Sequence, residues 1–425
     1  MSEKDTVKDM PYESGFDHTL DALKEGYPYI ADRRLMLNKE VFKTNVLGQE
    51  AYAMGGEEAA ELFYDTSKFQ RTNTMPKTIL KSLQGLGGVQ TLDGEEHTHR
   101  KKMFMSLMSN DRLEDLGEIY LKHLKAAVNR WRGQKEVIIY DEIQEVLVRT
   151  ACEWSGVPLP EKDVKEHTQN LMKMIVDAAS VGFSHFLGEH ARNVTEDWIR
   201  GLVKDVRDGK LNPPEETTLA VFSFHRDVNG ELLDPQIAAV EVLNIIRPIA
   251  AIAIYVQFLA LSVIQYPEEA AKLETDDRAG LQHFVQEVRR YYPFFPVAVA
   301  RTKKDFEWHG YEFKEDMLTI LDLYGTNRDP NVWENADKFD PDRFADWDGS
   351  PFSFIPQGGG GFIGGHRCAG EWITILILNI TLDYLANKMT YDVPNQDLTY
   401  SLTDIPATAK SGVRLTNVDW KQENE

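Results

Sequence analysis

Pro356-Gln357-Gly358-Gly359-Gly360-Gly361-Phe362-Ile363-Gly364-Gly365-His366-Arg367-Cys368-Ala369-Gly370-Glu371 is the stretch on which the chain turns. A glycine-rich loop runs into one cysteine, and the cysteine opens an apolar helix expected from Trp372 to Tyr384. Glycines strip side chains from the approach, so a flat partner could lie close to the backbone. A cysteine at a helix N-terminus faces free N–H groups and the positive end of the helix dipole, which favour a thiolate. Such a thiolate can be a nucleophile, a redox centre or a metal ligand.

Composition narrows the choice. Against 47 basic residues stand 68 acidic ones, a net charge of -21, which opposes binding to nucleic acid or an anionic membrane. Cys152 and Cys368 are the only cysteines, so neither a disulfide framework nor a four-cysteine zinc or iron–sulfur site can be built. Met1 to Met10 is polar and holds no apolar signal core, and a reducing cytoplasm is the expected compartment.

Outward from the loop, helical periodicity is predicted at 16–24, 56–64, 112–132, 141–156, 161–179 and 190–208. Glu95 to Phe104 reads as an acidic-to-basic helix, either a solvated face or an anion-binding one. Strand-like runs fall near 305–313 and 317–323, with a terminal pair near 398–417. The expectation is a mainly α chain with a minor antiparallel β region, without internal repeats.

The longest apolar stretch, Pro235 to Ile264, carries Arg247-Pro248 near its centre. Its uncharged part, from Ile249, is shorter than the roughly 18–20 residues a membrane span needs, so a buried core helix fits better. A proline inside a helix costs about 3 kcal/mol, and an arginine among apolar residues must find an anion or reach water. One reading is a packing kink with a snorkelling arginine. The other is an opened helix wall with a guanidinium aimed into a pocket, able to grip a carboxylate in bidentate fashion.

Three elements stand in order: Glu287-Val288-Arg289-Arg290, then Phe339-Asp340-Pro341-Asp342-Arg343-Phe344, then the loop ending Cys368-Ala369-Gly370. This order resembles the cytochrome P450 family over nearly the whole chain, 1–425, as a single domain with a long central helix over haem. The resemblance implies haem b with Cys368 as the iron's thiolate ligand, and Glu287, Arg290 and Arg343 as a buried ion-pair cluster bracing the cysteine loop. A thiolate ligand favours O–O cleavage.

Two departures are informative. Where common members carry phenylalanine seven residues before the cysteine and arginine two before it, this chain has Gly361 and His366. The central helix, Asn244-Ile245-Ile246-Arg247-Pro248-Ile249-Ala250-Ala251-Ile252, lacks the usual acid–alcohol pair that delivers protons. Both departures, with Tyr291-Tyr292-Pro293-Phe294, are similar to the bacterial fatty-acid peroxygenases and decarboxylases, which use hydrogen peroxide and need no redox partner.

That similarity implies a carboxylate held by Arg247 beside Pro248, with long-chain fatty acid and hydrogen peroxide as the two reactants and no membrane anchor. It places Gln90 in the distal pocket, where decarboxylating members tend to have histidine, so hydroxylation at the α or β carbon is expected. It assigns His97, Lys101 and Arg71 to the haem propionates, with Arg367 a further candidate, and Leu83, Phe294 and Val297 to the substrate pocket. The alternatives are a predominant decarboxylase forming 1-alkenes, a monooxygenase dependent on a redox partner, a haem sensor or fatty-acid carrier, and a Cys368–His366 hydrolase.

Overall fold

The structure, a computed structural model, describes residues 8–74, 81, 84–177, 183–273 and 277–422, with backbone alone at 183–186. Helices dominate because long amphipathic segments are started by local caps. Ser109 Oγ accepts from the Arg112 N–H ahead of the helix Asn110–Trp131, and Asp277 Oδ1 from the Gly280 N–H ahead of Arg278–Tyr291. Asp234 Oδ1 accepts from the Gln236 N–H, and Pro235 takes the first helical position, where its missing N–H costs nothing.

From there the apolar stretch runs as two helices, Pro235–Ala251 and Ala253–Gln265, divided at Ile252. Their run is long and apolar enough to cross a membrane, yet it lies almost wholly inside the protein. Val242, Leu243, Ile246, Ala250, Phe258 and Leu259 are fully buried in the main core. The central helix packs against Ile139–Trp154, Val164–Val176 and Phe183–Arg207, the structural counterparts of the segments predicted at 141–156, 161–179 and 190–208. The helix Glu371–Asp383, begun at the cysteine loop, packs against Asn110–Trp131 and Arg278–Tyr291.

Ten strands lie among the described residues: β1 (Val41–Val46), β2 (Gln49–Met54), β3 (Phe69–Gln70), β4 (Val137–Ile138), β5 (Val297–Thr302), β6 (Phe306–Trp308), β7 (Tyr311–Phe313), β8 (Leu318–Asp322), β9 (Met389–Asp392) and β10 (Arg414–Trp420). The largest sheet has the order β1-β2-β8-β5-β3. It corrects the expectation of a purely antiparallel region, because β2 and β8 pair in parallel with Ala51 opposite Leu318. The predicted terminal pair also moves: β10 pairs with β9, which begins at Met389 rather than near 398. The hairpin β1–β2 was not predicted. Its turn uses Leu47 at φ 54° and Gly48 at φ 72°, and leucine is an unusual residue for that conformation.

Candidate active site

Cys368 sits between the glycine loop and Glu371–Asp383. Its N–H donates to Gln357 O at 3.1 Å, and the Gly370 N–H is directed at its sulfur. Burial pushes the thiol up, and Lys101 and the Gly370 N–H offset only part of that. The helix-end N–H favours the thiolate as the sequence suggested, but burial outweighs it, whereas a bound metal cation would deprotonate the thiol outright. Cys152 is a fully buried core residue whose thiol burial pushes up to about 12.

The loop glycines have a narrower purpose than opening space. Gly358 and Gly360 adopt φ of +89° and +75°, which glycine tolerates best. A Cβ at Gly359 would fall 2.6 Å from Pro351 O, and one at Gly358 3.2 Å from the Tyr64 hydroxyl oxygen. The loop is thus folded tightly onto Tyr64 and Pro351, and of its glycines only Gly358 and Gly370 face the cavity.

Above Cys368 lies a cavity of about 350 Å³. Its wall brings together Cys368, Arg71, Lys101, Gln90, Arg247, Pro248, Phe294 and Val297 from distant parts of the chain. A larger hollow lies on the surface between Arg34, Asp329 and Trp308, and Cys368 does not border it. Leu83 falls outside the described residues.

The central helix reaches the cavity through Asn244, Ile245, Arg247, Pro248, Ile249, Ala251 and Ile252, without one acid or hydroxyl. Arg247 is 6% exposed, and its Nε has no hydrogen-bond partner. Burial, then the nearby Arg192 guanidinium, push it down to about 9. A buried cation so placed gains from any anion that enters. Phe294 is fixed by stacking on Tyr255 at 4.2 Å and by the Tyr27 hydroxyl, which donates to its carbonyl at 2.7 Å.

Arg71 is held at both its backbone and its guanidinium. Its backbone N–H bonds the Asp93 carboxylate at 2.9 Å, and its guanidinium lies 4.4 Å from the Phe63 ring centroid. Burial pushes it down to about 10. Lys101 Nζ donates to Arg367 O at 2.7 Å. His97 stays behind the cavity wall, its ring stacked 4.0 Å from that of His366, which does line it. Burial, then Lys101, push His97 down to about 4, and burial with Arg71 pushes His366 lower still. A neutral His366 beside a raised thiol is a poor arrangement for a Cys–His hydrolase.

Arg367 corrects the sequence assignment. It does not line the cavity; its Nε donates to Glu371 Oε2 at 2.6 Å and its guanidinium lies over Phe362. Arg289 Nη2 reaches the other oxygen of Glu371 at 2.6 Å and also Gln357 Oε1 at 2.9 Å. Sequence reading missed Arg289 and Glu371, although together they hold the two ends of the cysteine loop. The Glu287 carboxylate binds Arg290 at 2.7 and 2.8 Å and Arg343 at 3.3 Å. Arg290 then bonds the carbonyls of Asn327, Ala336 and Lys338. That cluster therefore braces the segment before the loop, through Asn327 Oδ1, which accepts from the Ile355 N–H at 2.7 Å, and through Trp333, which lies under Arg290 and donates to Ser353 O at 3.3 Å.

In a chain of net charge -21, three cations line this cavity and no carboxylate does, among the described residues. This donor set fits haem. Cys368 Sγ is the one soft ligand in reach, and Arg71 and Lys101 are the buried cations that two propionates require.

The comparisons with known proteins agree. The family model described as cytochrome P450 matches residues 274–399. A β-amyrin 28-monooxygenase of Kalopanax septemlobus is 21% identical over 423 residues, 90% of this chain and 85% of that one. Cytochrome P450 26A1 of Gallus gallus is 22% identical over 421 residues, 89% and 82%. Among solved structures, cytochrome P450EX alpha (CYP152N1) with myristic acid is 48% identical, with a TM-score of 0.94 over 97% of this chain and 100% of that one. Cytochrome P450SP alpha (CYP152B1) in complex with (R)-ibuprofen is 40% identical, TM-score 0.93, covering 95% and 99%. An OleT variant in complex with arachidonic acid is 36% identical, TM-score 0.95, covering 98% and 100%. Identity at this level over whole chains, on a site built around Cys368 and Arg247, means that the chain belongs to the cytochrome P450 family, in its branch of bacterial fatty-acid peroxygenases.

Proposed function

We propose that the protein is a hydrogen-peroxide-dependent hydroxylase of long-chain fatty acids, acting at the α or β carbon with side decarboxylation to terminal alkenes. The observation that carries this reading is Arg247, a buried guanidinium on a helix that offers the cavity no acid or hydroxyl. Three of the solved structures it resembles hold a carboxylic acid.

Cys368 Sγ would hold the haem iron and Arg71 and Lys101 would pair with its propionates, and the group would supply the oxidising iron. The chain's own residues do the rest. Arg247 binds the substrate carboxylate through paired N–H donors and sets the acid group at a fixed place in the cavity. Cleaving peroxide needs a base that takes a proton from one oxygen and returns it to the other. No side chain on this helix face can do so, and the carboxylate oxygen beside Arg247 can. Pro248 keeps the wall apolar and carries no N–H to compete for that oxygen. Ile245, Ile249, Phe294 and Val297 give the alkyl chain its apolar surface. The balance is R–H + H₂O₂ → R–OH + H₂O, so no reductase is required. Gln90, an amide rather than an imidazole, favours hydroxylation over decarboxylation.

The test is purified, haem-loaded protein given peroxide and myristic or palmitic acid without NAD(P)H or reductase. Hydroxy acids with a minor alkene fraction are expected. Turnover that requires NAD(P)H and a reductase, with peroxide inert, would overturn the proposal in favour of a conventional monooxygenase. A ligand-induced spectral shift without any product would make the protein a carrier or sensor.

A further inference from the structure

Glu241 stands on the central helix three residues before Asn244, which stands three before Arg247, so the three share one helix face. Glu241 is wholly buried (0% exposed) and does not line the cavity. The chemistry above makes no use of it. A carboxylate so placed is costly unless its oxygens are satisfied, and here they are. Arg100 Nη1 donates to Oε1 at 3.2 Å, Asn244 Nδ2 donates to Oε2 at 3.1 Å, and the Val89 N–H donates as well. Asn244 Nδ2 also donates to Gln90 Oε1 at 3.3 Å. Arg100 ties the same loop down by donating to Gly87 O at 3.0 Å. A Cβ at Gly88 would lie 2.9 Å from both Asn244 Nδ2 and Gln90 Oε1, so glycine there keeps the room this amide pair occupies.

The direction of the chain follows from donor and acceptor chemistry. Three donors converge on the Glu241 oxygens, and Asn244 is one of them, so it turns its NH₂ toward Glu241. The second hydrogen of that NH₂ goes to Gln90, which must present its oxygen. Two consequences face the cavity. Asn244 Oδ1 is left buried with no partner, and the free NH₂ of Gln90 is turned away from Asn244.

Resting on the fatty-acid reading, we propose that Glu241 is a positioning residue: it fixes the amide orientations of Asn244 and Gln90, and through them the rotation of the substrate carboxylate on Arg247. Gln90 offers that carboxylate N–H donors, while Asn244 Oδ1 repels it. Reversing the two amides exchanges attraction for repulsion and rotates the head group. The carbon presented for oxidation then changes, while the Arg247 anchor stays.

The experiment uses the haem-loaded full chain with palmitic acid and peroxide, and reads the α, β and alkene products. Palmitate affinity is read separately from the haem difference spectrum. Glu241→Gln keeps the volume but makes one end of the group a donor. It is expected to change the α:β ratio about fivefold, the size of one redirected hydrogen bond. Palmitate affinity is expected to fall by no more than about the same factor. In a Gln90→Leu background the same substitution is expected to move the ratio by less, because only Asn244 then faces the carboxylate. Should Glu241→Gln fail to fold, Asn244→Leu breaks the relay and leaves the Arg100–Glu241 pair in place, and it is expected to move the ratio. An unchanged ratio in the folded variant, or a shift that persists undiminished in the Gln90→Leu background, overturns the inference. A wild type that forms no oxidised fatty acid overturns the fatty-acid reading itself, and this inference with it.

Discussion

Lys101 Nζ donates to the carbonyl oxygen of Arg367 at 2.7 Å, one residue before Cys368, so a buried cation caps the backbone that presents the sulfur. Lys101→Met keeps the stem and removes the donor. It is expected to cost about 1–3 kcal/mol in denaturant unfolding of the haem-loaded protein. The haem-thiolate band in the reduced carbon-monoxide spectrum is expected to weaken, because the backbone that presents the sulfur loses its anchor. Unchanged unfolding and an unchanged band would mean that the contact does not matter.

Arg247→Ala removes the only cation the central helix offers the cavity. Turnover of palmitic acid is expected to fall about a hundredfold or more, as expected when a buried charge pair loses one partner. Haem content should not change. A short carboxylic acid added to the wild type is expected to permit peroxide chemistry on a substrate without an acid group, and to fail in Arg247→Ala. Full activity in the variant would refute the anchor.

Glu371 is shared by Arg289 and Arg367; the Arg289 pair is buried and the Arg367 pair half-buried. Burial raises its carboxyl, but Arg289 and then Arg367 outweigh it and hold the group below the usual carboxylate range. Glu371→Gln leaves the buried Arg289 and the half-buried Arg367 guanidiniums without a counter-charge. It is expected to destabilise the fold by about 3–5 kcal/mol, read by denaturant unfolding. A loss confined to a few tenths of a kcal/mol would show the triad to be dispensable.

Haem-free protein is expected to be acid-sensitive over a defined window. His97 is pushed from 6.5 down to about 4 by burial and then by Lys101. Between those values the unfolded chain binds a proton that the folded one refuses. The His97 contribution to stability is therefore full above pH 6.5 and lost as pH falls toward 4. Anionic propionates beside Arg71 and Lys101 would make protonation easier and flatten that slope. Denaturation midpoints across this range, with and without haem and in His97→Gln, check it. A slope that haem leaves unchanged would remove the propionate assignment.

Much of this site was legible in the sequence because its strongest signals break local rules. Arginine and proline inside an apolar helix, and six glycines before a cysteine, have no local explanation and so point to a site. Arg289 was passed over because it obeys its context. It looks like one of two basic residues closing a helix, and only three-dimensional closure brings it 2.6 Å from a carboxylate 82 residues away. The same limit hid Glu241, which reads as an ordinary helix acid until burial leaves it three donors. The β1–β2 hairpin lacked the usual Asn-Gly or Asp-Gly signal, and the β2–β8 pairing joins residues more than 260 positions apart, beyond any local pattern.

The ion pairs beneath the cysteine close on themselves. Glu287 with Arg290 and Arg343, and Glu371 with Arg289 and Arg367, all fall within 274–399, the segment the family model matches. Gln90, Glu241, Asn244 and Arg247 all lie outside it. The frame of ion pairs beneath the cysteine and the polar relay on the central helix are therefore built from separate segments of the chain. Changes in the relay share no hydrogen-bond partner with that frame, so the two can be stacked with nearly additive effects on stability, which makes the relay the place to redesign selectivity.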